Sequence, residues 1–321
     1  MKKKFVFFLI VVFFSYQKGF AQQKLMLSQY MLNQYVLNPA VGGTGDFVEA
    51  YTGYRMQWVG LEGAPRTFYL TIQGPVGKAP AQYNWKTKKK YFHGLGAYFA
   101  VDKTGLLSRT LAYGSYAYNM PLTRKLRLST GIFLGFQQYR IDGASVRVDG
   151  YDPSLPGIDI NKIIPDVSLG SWLYHPDYYV GLSINQILGS RLDYSINKLA
   201  ESPGRLKFHY FLTAGYKFPF YYNEMEWIPS FLARWVNPAP LSVDINSKIR
   251  YKKTYWVGVS YRHKDAVAVM VGAVFLKSIH VGYSYDLSIS PLSKYQSNSH
   301  EIVLGYTFSR HYDVWSPSRF W

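Results

Sequence analysis

Residues 241–262, LSVDINSKIRYKKTYWVGVSYR, carry the pattern that decides the fold. Leu241, Val243, Ile245 and Ile249 fall on one parity, and Ser242, Asp244, Asn246, Lys248 and Arg250 on the other. After Lys252 and Lys253 the rule resumes, with Tyr255, Val257, Val259 and Tyr261 set against Gly258, Ser260 and Arg262. Side chains point alternately to opposite sides of a strand, so each run reads as a strand with one oily face and one wet or small-residue face. Upstream, Phe208, Tyr210, Leu212, Ala214, Tyr216 and Phe218 alternate with His209, Thr213, Gly215 and Lys217. Leu126, Leu128, Ile132, Leu134 and Phe136 alternate with Arg127, Ser129, Gly131, Gly135 and Gln137, and Phe133 breaks step. Downstream, Ile302, Leu304, Tyr306 and Phe308 alternate with Gly305 and Thr307.

Two architectures use such strands. The strands of a soluble sandwich average about five or six residues. Here the segments run to roughly ten or more, the length of a tilted strand crossing hydrocarbon. Aromatic residues near their ends, at Trp58, Tyr91, Tyr118, Trp172, Trp235 and Tyr251, suit an interfacial girdle. Lipid cannot satisfy an open sheet edge, so the strands must close on themselves. The expected fold is an all-β, transmembrane antiparallel barrel of about 14 strands over residues 47–308. An even count returns both termini to the periplasm. Connections 140–163, 187–205 and 287–297 then lie outside, and 74–90, with Lys86, Lys88, Lys89 and Lys90, lies on the periplasmic side.

The rest of the chain fits an exported barrel. Lys2, Lys3 and Lys4, an apolar run from Phe5 to Phe14, and Gly19-Phe20-Ala21 form a signal peptide over residues 1–21. Residues 22–46 form an N-terminal segment that is either luminal or a periplasmic lead-in, and 309–321 a C-terminal extension. The 321 residues hold 36 Lys and Arg against 19 Asp and Glu, a formal charge of +17. With 48% hydrophobic residues and no cysteine, disordered, collagenous and disulfide-stapled chains are excluded.

Catalytic and metal-binding patterns are absent from the sequence. The seven His occur without HExxH or any ligand-spaced cluster, and no phosphate loop or GxSxG elbow is present, so no metal and no cofactor is expected. His280 and Ser284 share a strand parity, as any two same-face residues do. Three readings of the positive charge remain: contact with lipopolysaccharide or peptidoglycan, an anion-attracting lumen lined by Arg127, Arg234, Lys248, Arg250 and Arg262, or scattered solvation. A nucleic-acid partner does not suit an exported barrel.

Ordered segments along the mature chain carry a resemblance to a known family. These are LSQYMLNQYVLNPAVGGTG, YRMQWVGLEGAPRTFYLTIQGPVG, GLGAYFAVDKTG, YYVGLSINQIL, YWVGVSYRHKDAV, and VGYSYDLSIS followed by SHEIVLGYTF. Together they resemble the PorP/SprF family of outer-membrane proteins tied to type IX secretion. The resemblance implies a non-enzymatic barrel of the cell outer membrane, working with type IX secretion or gliding-motility components. Members partner either a large secreted adhesin, through its C-terminal domain, or a periplasmic lipoprotein or peptidoglycan-binding protein. Outer-membrane lipids and lipopolysaccharide are the surrounding partners. A diffusion channel or hydrophobic-solute transporter is the alternative. The candidate partner-contact residues are Arg55, Gln57, Trp58, Lys86, Lys88, Lys89 and Lys90, and the candidate luminal polar residues are Asp244, Lys248, Arg250, Arg262 and Asp286. Tyr283 and Tyr285 are expected to face lipid, and Asp286 to pair with Arg262.

Overall fold

The computed structural model describes residues 25–77, 91–123, 125–142, 160–192, 204–222, 224–294 and 296–308. Fourteen strands build the barrel: β1 (Val48–Met56), β2 (Arg66–Val76), β3 (Phe92–Thr104), β4 (Leu107–Pro121), β5 (Arg127–Ile141), β6 (Ile160–Tyr174) and β7 (Tyr178–Asn185). The series continues with β8 (His209–Tyr216, resuming at Phe218–Phe220), β9 (Met225–Val236), β10 (Ser242–Tyr251), β11 (Tyr255–Arg262), β12 (Ala266–Phe275), β13 (Ile279–Ser288) and β14 (Ser299–Phe308). Each strand pairs antiparallel with the next. The sheet closes where β14 meets β1, from Val48 opposite Phe308 to Met56 opposite His300.

The sequence alternation becomes a wall with two faces. Strand β11 alternates strictly between exposed and buried residues. Leu134, Val257 and Ile302 on the outer face are 55%, 54% and 47% exposed. Water would penalise that much apolar surface on every strand, and acyl chains do not. Inward-facing Ser284, Asp286 and Arg262 are buried, and Tyr283 faces out. Trp172 departs from the girdle expected of it. It is 1% exposed inside the barrel and stacks on Tyr179 with ring centroids 4.7 Å apart.

The barrel interior holds the N-terminal segment. Residues 27–44 are all buried, and their apolar members Tyr30, Met31, Leu32, Tyr35, Val36, Ala40 and Val41 form the core with inward Tyr69, Phe133, Trp172 and Met270. Two short 3-10 turns, Gln34–Val36 and Pro39–Val41, fold it compactly. Its amides recur at Gln29, Asn33, Gln34 and Asn38, and each reaches a different part of the wall. Asn33 donates to Thr71 Oγ1 at 2.8 Å and Gln34 to the Tyr179 hydroxyl at 2.6 Å. Asn38 Nδ2 donates to the carbonyls of Ser171 and Leu182, both at 3.0 Å, and its Oδ1 accepts from Ala40 N at 2.9 Å. Away from water, each satisfied group contributes roughly 0.5–1.5 kcal/mol, and each orphaned one costs more. A Cβ on Gly131 would lie 2.6 Å from the Ala40 backbone nitrogen, so the wall is flattened there to admit the plug.

The two barrel ends differ. Short turns at 122–126, 175–177, 221–224, 252–254 and 276–278 mark one end, which by the outer-membrane rule faces the periplasm. The opposite end carries most of the longer connections, including a small pairing of Arg191–Leu192 with Gly204–Arg205. Gly43, near the foot of the plug, lies against Gly74, Pro75 and Gly94 at the turn end. Leu25 and Met26 lie at the loop end.

Candidate functional site

The loop-end half of the lumen is organised around Arg55, which β1 turns inward. Its Nη2 lies 2.8 Å from Asp286 Oδ2 on β13, and its Nη1 lies 3.2 Å from Glu301 Oε2 on β14. The plug completes the cluster. Ser28 Oγ accepts from Arg55 Nη1 at 2.8 Å and donates to Asp286, while Ser28 N and Gln29 N donate to Glu301 at 2.7 and 3.1 Å. Arg262 Nη2 reaches Ser28 Oγ at 3.4 Å and joins this cluster to a second one. There Arg262 contacts Asp265 at 3.0 Å and Asp244 at 3.5 Å, and Arg234 Nη2 donates to both Asp244 oxygens at 2.6 and 2.7 Å. Buried charges persist only when paired in this way.

This geometry revises several expectations from the sequence. Arg55 is 2% exposed and presents no surface to a partner. Asp286 pairs with Arg55 rather than with Arg262, because β1 and β14 close beside β13 and bring the guanidinium across the seam. Three of the cations expected to attract anions are paired with carboxylates: Arg234 and Arg262 share Asp244, and Arg250 meets Glu226 at 2.6 Å. Lys248 is buried near the turn end, with its ammonium 5.9 Å from the Trp256 ring centroid. His280 meets Thr307 at 3.2 Å and Ser284 donates to Asp286 at 3.4 Å, so the two same-parity residues do not act on each other. Lys86, Lys88, Lys89 and Lys90 lie outside the described residues.

Above the ion network opens a cavity of about 290 Å³ at the loop-end mouth. Gln57 and Trp58 reach it from the β1–β2 connection, Tyr210 and Phe211 from β8, and Arg234 and Trp235 from β9. Leu25 and Met26 of the plug line it too. Trp58 holds a left-handed backbone, φ 53°, and its N–H donates to Ser299 Oγ at 3.0 Å. A bulky residue pays about 1–2 kcal/mol for that conformation, which here aims the indole at the cavity. Arg234 Nε is buried without a hydrogen-bond partner. The walls therefore suit an apolar or aromatic group.

Sequence reasoning found Gln57, Trp58 and Arg262, and Trp235 lies on the outer face near the strand end, as an interfacial aromatic does. That reasoning did not single out Ser28, Gln29 or Glu301 as parts of one cluster. The available signal was the run of amides and hydroxyls through an otherwise apolar LSQYMLNQYVLN, which suits burial among polar wall residues.

A closed antiparallel barrel with an apolar outer belt, an internal plug and paired luminal charges defines an integral outer-membrane protein. The chain belongs to the type IX secretion system membrane protein PorP/SprF family, whose model matches residues 19–306. Among solved structures, the Ralstonia pickettii toluene transporter TbuX shares the fold at 10% identity, with 88% of this chain and 93% of that chain covered and a TM-score of 0.52. A Pseudomonas aeruginosa FadL homologue is similar at 9% identity, with 88% and 94% covered and a TM-score of 0.49. The comparison with curated proteins returned no match.

Proposed function

We propose that this barrel is a non-catalytic partner and anchor in type IX secretion, and that its loop-end mouth receives a segment of an exported surface protein of the adhesin kind. The observation that carries the reading is the mouth cavity. It is walled by Trp58 and the inward-facing Phe211, with Arg234 and Arg262 beside them, and lies above a lumen occupied by a hydrogen-bonded plug. A site that is concave, aromatic and backed by rigid wall suits capture of apolar side chains from a partner. A fully paired barrel supplies the fixed base that retention requires.

Site-specific photocrosslinking from position 239, on the cavity rim, in the native host tests this. A crosslink to one exported protein, and loss of its surface display on deletion of the barrel, is the expected result. Normal display after deletion overturns the reading.

A second reading, passage of hydrophobic solutes, draws on the same aromatic walls. It predicts uptake of an aromatic hydrocarbon by liposomes that contain the purified protein alone.

A further inference from the structure

Three successive turns at the periplasmic end are built from residues that disfavour their own backbone. Lys252 and Lys253 have φ of 46° and 57°, and Leu276 and Lys277 have φ of 49° and 56°. Each pair is closed by the bond across its turn, Thr254 N to Tyr251 O at 2.9 Å and Ser278 N to Phe275 O at 3.1 Å. Two central residues at positive φ define the hairpin turn for which Asn-Gly is the favoured sequence. The neighbouring turn places Tyr221 and Tyr222 at φ 49° and 51°. Six large side chains thus occupy left-handed positions that glycine or asparagine would fill without strain. The turns are stitched into one continuous rim, because Lys252 N donates to Glu224 O at 2.7 Å and Val274 N to Thr254 O at 2.8 Å.

These side chains project outward. Tyr222 is 95% exposed, Leu276 78% and Tyr221 65%. They alternate around the rim with Lys252, Lys253 and Lys277, and Glu224, 3.7 Å from the Lys252 ammonium, is the one carboxylate among the described residues of these three turns. Immediately above the tips, Tyr251, Tyr255 and Phe275 are outward-facing and lipid-exposed. Turns this short add almost no height, so their tips lie at headgroup depth rather than deep in the periplasm. Apolar and aromatic groups at that level reach the acyl boundary while ammonium groups meet phosphate.

We infer that this sector, from the β8–β9 turn to the β12–β13 turn, is a binding site for anionic phospholipid of the periplasmic leaflet. The strained Tyr-Tyr, Lys-Lys and Leu-Lys pairs supply its apolar and cationic contacts.

The test replaces Lys252-Lys253 and Leu276-Lys277 by Asn-Gly in the full-length protein. Phosphatidylglycerol binding is then measured by native mass spectrometry and by its effect on Tm in zwitterionic detergent. The expected variant melts at or above the wild-type temperature without lipid, because the turns are relieved. It binds phosphatidylglycerol on the order of tenfold more weakly or worse, and phosphatidylcholine unchanged. Lys252→Gln, Lys253→Gln, Lys277→Gln removes only the charges and should lose the same selectivity, which keeps the test decisive if the Asn-Gly variant does not assemble. Wild-type phosphatidylglycerol binding by both variants overturns the inference. So does unchanged lipid binding together with loss of a co-purifying acidic periplasmic protein, which would assign the rim to a protein partner.

Discussion

Arg55 and Glu301 stand opposite each other in register across the seam where the first and last strands meet, and their side chains touch at 3.2 Å. Asp286 takes the other guanidinium nitrogen, and Ser28 of the plug bonds to all three. Wall closure and plug seating therefore share one charge cluster.

Arg55→Met leaves two buried carboxylates without their cation. Removing one member of such a cluster costs about 3–5 kcal/mol. The Tm of the purified barrel should fall, and the folded band on unheated gels should vanish at a lower temperature. The triple variant Arg55→Met, Asp286→Asn, Glu301→Gln should recover much of the loss, because no uncompensated charge remains.

Trp58→Gly separates capture from stability. Glycine accepts φ 53° without strain, so the variant should be as stable as wild type or up to about 1 kcal/mol more stable. The cavity loses one wall, and crosslinking of the exported partner through position 239 should drop severalfold. A Tm loss of several degrees with full capture would refute the assignment of Trp58 to the cavity.

Gly131→Val places a side chain where the plug backbone passes. The added Cβ would lie 2.6 Å from Ala40 N, and neither backbone can yield cheaply. The plug should lose its seat while the lipid-facing wall persists. Planar-bilayer recordings should show larger and more frequent conductance steps than wild type.

The plug should also respond to alkali. Burial, with Asp244 nearby, pushes the Tyr30 phenol well above its ordinary value. The seated plug therefore holds this proton more tightly than a released one, whose phenol titrates near about 10. The stabilisation is complete below that pH and declines as pH rises beyond it. Protease sensitivity of the plug should increase above pH 10 in the wild type, and the increase should be flatter in Tyr30→Phe.

Most of the barrel was legible because alternation is a local signal. Each strand announces its two faces within ten residues, and lipid enforces the rule on every strand. The site was less legible because its parts are distant in the chain. Ser28, Arg55, Asp286 and Glu301 meet only after closure brings β1 beside β14, and nothing around Asp286 distinguishes Arg55 from Arg262 as its partner. Trp172 misled for a related reason: an aromatic near a strand end suits a girdle, yet its parity turns it inward onto Tyr179. Gln29, Asn33, Gln34 and Asn38 were visible as a polar rhythm, but their acceptors lie on four different strands, β2, β6, β7 and β14.

The path of residues 25–47, from the loop-end mouth down to the foot of β1, constrains the order of assembly. A ring already sealed would have to be threaded, whereas an open sheet can fold around the peptide and then zip. The β1–β14 edge is thus a latch that engages on its cargo, and a nascent barrel lacking Ser28 and Gln29 in position would meet its own buried carboxylates unescorted. Completing the circle and filling it draw on the same side chains.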